Sequence, residues 1–320
     1  MRTPRVCATL VLLAAGACGQ EVERTAPAPT IAPAQEATTT SAVRAARTPP
    51  TFTPAPSVAR PPLLLRAGGI ETSAGLWSAC WTSGNSSTCA DGRPPEVPPD
   101  MGSPPDIEVA FDTPGWRFSA TFTPSEEPCG RQQSVDLDAV GPTTHRLRPF
   151  GPAGDYTVTL HGDSTDSATN KGDVGTTFRW RTTSDGPNEP PSSTMSFLAA
   201  RPDLKISLGA EFRARGLGVS TQPGEVEAGA VVTAANGASM TVTFGPYPRE
   251  QCVPDGMVSM RSDGDDGRAV AALGPAPYRY AVSLVLHGVT YRGTGTWPQD
   301  EIDECSPCTR LRWDPPLPAL

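Results

Sequence analysis

PAGDYTVTLHG, residues 152–162, places Tyr156, Val158 and Leu160 at alternate positions behind a Pro-Ala-Gly turn. Alternation with a period of two is the mark of a half-buried β-strand. A second run, PAPYRYAVSLVLHG at 275–288, has the same outline and ends on the same Leu-His-Gly. The echo is either a pair of histidine sites or one building block used twice.

Other marks decide for the building block, because they recur in the same order at an offset of about 122 residues. Phe122-Thr-Pro124 answers Phe244-Gly-Pro246, Cys129 answers Cys252, and Gly151-Pro-Ala153 answers Gly274-Pro-Ala276. Tyr156 then pairs with Tyr280, His161 with His287, and Trp180 with Trp297. Further alternating runs, WRFSATF at 116–122, TFRWRT at 177–182 and SMTVTF at 239–244, are separated by Gly, Pro, Asp and Ser clusters. That is the pattern of antiparallel strands, and no convincing amphipathic helix interrupts it.

A tyrosine opening an alternating strand just after a Gly-Pro-Ala turn resembles the penultimate strand of immunoglobulin-like sandwiches, where the hydroxyl bonds back to the turn. The resemblance implies an all-β chain of two tandem antiparallel β-sandwich (immunoglobulin-like) modules, 63–190 and 191–320, after a disordered N-terminal stalk. It lacks the cysteine pair that spans the two sheets in that family.

The N-terminus begins Met1-Arg-Thr-Pro-Arg, continues with an apolar run from Val6 to Ala15, and reaches Cys18 through small residues. Such a run is half the length of a membrane span and has the layout of an export signal, residues 1–17. Ala15-Gly16-Ala17-Cys18 resembles the lipobox of bacterial lipoproteins, with Ala15 where Leu is commoner. The resemblance implies lipidation at Cys18 and an extracytoplasmic protein anchored to the outer face of the cell membrane, with plain secretion as the alternative. Together with the composition and sandwich pattern, it extends to uncharacterised surface lipoproteins of high-GC Gram-positive bacteria.

Residues 18–62 are mostly Pro, Ala, Thr, Glu and Arg with Phe52 as the single aromatic, too little apolar surface to offset the entropy of ordering. As a tether this segment spans roughly 35 Å by random-coil scaling, and more where proline stiffens it. The net charge of −8, moving to −10 once Arg2 and Arg5 leave with the signal, argues against nucleic acid as a partner.

Export puts cysteines in an oxidising compartment, where they are read as disulfides first. Beyond Cys7 and Cys18, three fall in each half: Cys80, Cys89 and Cys129, then Cys252, Cys305 and Cys308. Each half therefore leaves one thiol over, or one bridge joins the halves. The preferred set is Cys80 with Cys89, Cys305 with Cys308, and Cys129 with Cys252 across the modules; Cys252 with Cys305 or Cys308 competes. An inter-module bridge would constrain the unfolded chain most, by about 5 kcal/mol on loop entropy. The CSPC of 305–308 follows acidic PQDEID, which would raise a thiol pKa, and no βαβ pattern surrounds it.

No GxSxG, HExxH or SxxK is present. His161 and His287 read as duplicated strand ends, and His145 has no counterpart in the second copy. SDGDDG at 262–267 misses the calcium-loop spacing and reads as an acidic hairpin, and the polar stretch with Asp163, Asp166, Asn170 and Asp173 is discounted likewise. No catalytic residue, metal site or cofactor is assigned. Among six tryptophans, Trp77 and Trp81, four apart on one strand face, are the weak candidates for stacking on a glycan, with Trp116, Trp180 and Trp297 read as core. The expectation is a non-catalytic binding or scaffolding module for a protein or a cell-wall glycan; the alternative is an extracytoplasmic enzyme, a hydrolase with scattered residues or a CxxC thiol oxidoreductase.

Overall fold

Alternation becomes burial most clearly along Trp116–Pro124, where Trp116, Phe118, Ala120 and Phe122 point inward and the residues between them do not. The structure is a computed structural model, and it describes residues 61–83, 86–165, 170–197, 209–221, 224–246, 253–302 and 305–320. The leader, the tether with Cys18, and Cys252 lie outside the described residues, as does the side chain of Cys305.

The first sandwich comprises β1 (Leu63–Ala67), β2 (Ile70–Ala74), β3 (Ser78–Ser83), β4 (Ser86–Asp91), β5 (Ile107–Phe111) and β6 (Trp116–Pro124). It continues with β7 (Gln133–Asp136), β8 (Asp138–Ala139), β9 (Thr144–Leu147), β10 (Gly154–Ser164) and β11 (Lys171–Thr182). One sheet runs β2-β1-β5-β9-β8 and the other β4-β3-β11-β10-β6-β7. The chain changes sheet after β2, β4, β5, β7 and β9, and the crossings from β5 to β6 and from β9 to β10 are those of immunoglobulin-like sandwiches. Between the sheets lie Phe111, Phe122, Phe178 and Trp180, each almost wholly removed from water.

The second sandwich comprises β12 (Ser192–Phe197), β13 (Ala210–Arg215), β14 (Val226–Thr233), β15 (Ser239–Pro246), β16 (Val258–Arg261), α1 (Gly264–Leu273), β17 (Tyr278–Leu286) and β18 (Val289–Trp297). It closes with β19 (Glu301–Ile302), β20 (Cys305–Arg310) and β21 (Arg312–Asp314). Its strands follow the order β19-β20-β12-β13-β16-β15-β14-β17-β18-β21, and only the Gly245–Pro246 end of β15 pairs with β16. A separate buried cluster, including Phe212, Val232, Tyr280 and Leu284, fills its interior. The fold is therefore all-β, with two tandem immunoglobulin-like sandwiches.

The trio β6-β10-β11 corresponds to β14-β17-β18, and both carry the tyrosine corner. Tyr156 Oη donates to Pro152 O at 2.6 Å, and Tyr278 Oη donates to Gly274 O at 2.7 Å. Tyr156 stands opposite Trp180 and Tyr278 opposite Trp297. The counterpart of Tyr156 is thus Tyr278, which corrects the match to Tyr280. Tyrosines two apart in a strand share a face, so spacing alone could not choose between them.

This two-residue shift also separates the histidines. His161 lies inside β10, opposite Gly175 and Ser119. His287 sits at φ 48° with Gly288 at φ 76° in the two-residue turn joining β17 to β18. Positive φ at both central positions is the hairpin geometry that matches strand twist. Counting from the corner, the equivalent of His161 is Ser283, and the shared Leu-His-Gly is a coincidence of sequence.

SDGDDG is the second correction. It opens α1 and is not a hairpin: Asp263 is the N-cap and accepts from Asp265 N at 3.1 Å, with Asp265 and Asp266 in the first turn. Carboxylates there satisfy orphan amides and face the positive end of the helix dipole. Two glycines inside a ten-residue helix erased the periodicity that would have betrayed it.

The described residues belong to one compact unit, and a polar seam ties the sandwiches together. Arg131, between β6 and β7, pairs with Asp255 at 2.8 Å and donates to the backbone oxygens of Leu217 and Val219. Asp255 N donates to Cys129 O at 3.3 Å. Glu189, 6% exposed between β11 and β12, accepts from Ser134 N at 3.0 Å and pairs with Arg215 at 2.8 Å. Gln133 holds the same segment from both ends of its amide, donating to Asn188 and accepting from Glu189 N.

Candidate functional site

Inward-facing positions of β6, β10 and β11 are spent on the core, so chemistry on this sheet has only the outer face. There β6 presents Arg117, Ser119, Thr121 and Thr123, and β10 presents Asp155, Thr157, Thr159, His161 and Asp163. β11 adds Asp173, Gly175, Thr177, Arg179 and Arg181. Hydroxyls contact one another across the strands: Thr159 to Thr177 at 3.4 Å, Thr121 to Ser134 at 3.1 Å, Ser125 to Thr157 at 3.5 Å.

Trp77 lies on this face. Its Nε1 donates to Thr177 Oγ1 at 3.0 Å. A Cβ added at Gly175 would lie 3.3 Å from its Cζ2, so a side chain there would press that edge of the indole off the strand by a few tenths of an ångström. The rest of the half-buried ring is left at the surface. Trp81 is different: it points inward, is 3% exposed, and stacks on Trp116 at 5.4 Å with Phe111 edge-on. The pairing of Trp77 and Trp81 as glycan candidates is corrected to Trp77 alone. Trp77 precedes β3 and leaves its alternation, which is why a four-residue spacing did not put both rings on one face.

Charges flank the hydroxyls. His161 Nε2 stands 3.2 Å from Asp163 Oδ1, and that contact, its largest influence, raises the histidine pKa and lowers the carboxyl's. At the other end Arg181 Nε meets Asp155 at 2.7 Å. Residues 99–102 run beside β11 there, with Met101 N donating to Arg179 O and Arg179 N to Pro99 O. Between this segment and the sheet opens a cleft of about 160 Å³, lined by Asp100, Ser103, Ser125, Asp155, Arg179 and Arg181 among others. Nothing in the sequence marked the cleft, because its walls come from four separated segments.

The other sequence candidates are placed elsewhere. Cys80 and Cys89 stand opposite each other on β3 and β4 and form a disulfide, with Cα atoms 4.0 Å apart. Cys129 and Cys308 are disulfide-bonded as well. Cys308 is wholly buried on β20, an environment unlike the open thiol a CxxC oxidoreductase requires. Buried His145 donates to Trp116 O at 3.1 Å, packs on Phe118, and is pushed below its ordinary pKa by desolvation. Among the described residues no group of three or more His, Cys, Asp or Glu is placed to hold a metal ion. No helix among them is long and apolar enough to cross a membrane.

No family model matches the chain and no curated relative is similar to it. Among solved structures, the crystal structure of chicken CNTN1 FN1-FN3 domains overlaps 72% of this chain and 85% of that one, at 13% identity and a TM-score of 0.18. Strand order and the two tyrosine corners, rather than that overlap, define the class: a chain of tandem immunoglobulin-like β-sandwiches.

Proposed function

We propose that this chain is a non-catalytic binding module of the cell envelope, with the outer face of β6-β10-β11 as its contact surface and the second sandwich as a rigid support. The observation that carries this is the asymmetry between equivalent faces. One bears a fixed indole, a histidine and hydroxyls in contact across strands; the other bears Gly229, Val231, Ala281 and Ser283 on β14 and β17, and its threonines on β18 and its hollow beside Glu227, Ser283 and Val285 are lined by neither an indole nor a histidine. Polar groups convergent about an aromatic are what recognition sites use.

Hydrogen exchange on the chain mixed with purified cell-wall fragments tests it. Slowed exchange in β6, β10 and β11 is the expected result; slowed exchange confined to β14 and β17, or none, overturns it. Delivery rests on the leader alone. Cys18→Ala is expected to move the chain from the membrane pellet to the soluble fraction, and unchanged pelleting would remove the anchor while leaving the module. The placement of Asp255 against Cys129 supports Cys129–Cys252 as the inter-sandwich bridge; non-reducing peptide mapping is expected to recover that pair, and Cys252 joined to Cys305 or Cys308 would refute it.

A further inference from the structure

Building on that reading, we infer that the contact surface takes a linear, uncharged polysaccharide lying along the strands, from Trp77 to the cleft beside Arg181. Three observations converge on one ligand chemistry.

First, length and shape. Gly175, beneath Trp77, and Arg181, at the cleft, are six residues apart on β11, roughly 20 Å at strand rise. Trp77 walls one end of this strip and residues 99–102 the other, on the same flank, while β10 and β6 form its floor. The strip suits an extended chain of linked rings better than a compact solute.

Second, charge. The acids along the strip, Asp100, Asp155, Asp163 and Asp173, alternate with Arg117, Lys171, Arg179 and Arg181, and two further acids flank it, Asp91 beside Ser78 and Asp136 beside Ser119. They are interleaved, with Arg181 on Asp155 and Arg117 beside Asp163. A strip with no excess of cations does not draw a polyanion.

Third, chemistry. Serine and threonine hydroxyls both donate and accept and rotate to suit, which fits a ligand whose own surface is hydroxyls. An indole edge-seated on Gly175 and tethered at Nε1 gives the apolar patch of a sugar ring a platform that loses little freedom on binding.

Affinity electrophoresis of the full chain through gels containing hydroxyethylcellulose, galactomannan or glycol chitin, with polygalacturonate and chitosan as charged comparisons, tests this. Retardation by at least one neutral polymer is expected, weakened about tenfold or more by Trp77→Ala, in the manner of an aromatic hot spot. His161→Ala, an exposed change that leaves the fold alone, is expected to weaken it by a smaller factor. Trp77→Phe, which keeps a ring, should retain part of the retardation and guards against misfolding of the alanine variant. Retardation only by a charged polymer, relieved by Trp77→Ala, overturns the ligand class and leaves the contact surface standing. Equal retardation of the parent and both alanine variants, or no retardation by any neutral gel, overturns the inference; hydrogen exchange with wall fragments then reports separately whether the surface itself survives.

Discussion

The two sandwiches share a frame and differ in what they show to water. In each, three neighbouring strands are pinned by a tyrosine hydroxyl bonded four residues back, with a tryptophan across from that tyrosine. Yet the face that carries Thr121, Thr159 and His161 on the first carries Val231, Ala281 and Ser283 on the second, Val231 being 42% exposed, while Thr177 keeps a threonine, Thr294, as its counterpart. Inward positions are held by packing, so a repeat persists there. Outward positions are free to diverge, and that is where a difference of role would be written.

The largest test of the shared frame is its tryptophans. Trp180 is 1% exposed with Nε1 donating to Pro104 O, whereas Trp297 is half-buried and stacked on Tyr278 at 6.0 Å. Trp180→Ala is expected to cost about 4 kcal/mol and Trp297→Ala about half that, as read by urea unfolding. Equal losses would mean the second corner is as deeply packed as the first.

The seam comes next. Glu189→Ala leaves the Ser134 amide without its acceptor and removes the ion pair to Arg215, which keeps Ser192 and solvent, and is expected to cost about 2 kcal/mol. Glu189→Gln keeps an acceptor for Ser134 and removes a carboxylate whose pKa burial, its main influence, pushes up, so it should cost under about 1 kcal/mol. A single thermal transition in the parent that splits into two for Glu189→Ala would assign the coupling between sandwiches to this residue.

Tyrosine hydroxyls sharpen the match between the halves. Tyr156→Phe and Tyr278→Phe should each lose about 1 kcal/mol with the corner bond. Tyr280 Oη is buried without a partner, so Tyr280→Phe should be neutral or stabilising; a loss equal to that of Tyr278→Phe would restore the original pairing.

The smallest effect concerns pH. His161, raised by Asp163, contributes stability that is present below its unfolded pKa of about 6.5 and lost as pH rises through its higher folded value. His145, lowered by burial, contributes stability present above about 6.5 and lost as pH falls, because its partnerless Nδ1 would have to take a proton inside the core. Proton NMR titration should place the two on opposite sides of free histidine, and a common midpoint would break the assignment.

What the residues alone disclosed follows from how local each signal is. Alternation in WRFSATF and DYTVTL is set by neighbours two apart, so strands and core were legible. The Cys80–Cys89 bridge was legible for the same reason, as both lie on one hairpin. The role of Tyr278 over Tyr280 depends on which hydroxyl reaches the turn, a matter of register between strands that spacing does not encode. Trp77 and the cleft were harder still, since one depends on an absent Cβ at Gly175 nearly a hundred residues away and the other on four segments meeting. The helix at Gly264–Leu273 was hidden by its own glycines.

The long strand β11 is bordered along its outer side by two unrelated pieces, β3 beside Lys171–Gly175 and the run 99–102 beside Arg179 and Arg181. A strand that long, left bare, would offer a template for a neighbouring molecule to add its own strand. With that flank already occupied, molecules crowded on a shared support have no free zipper there through which to chain together, and the surface beside it stays open to whatever arrives from solution.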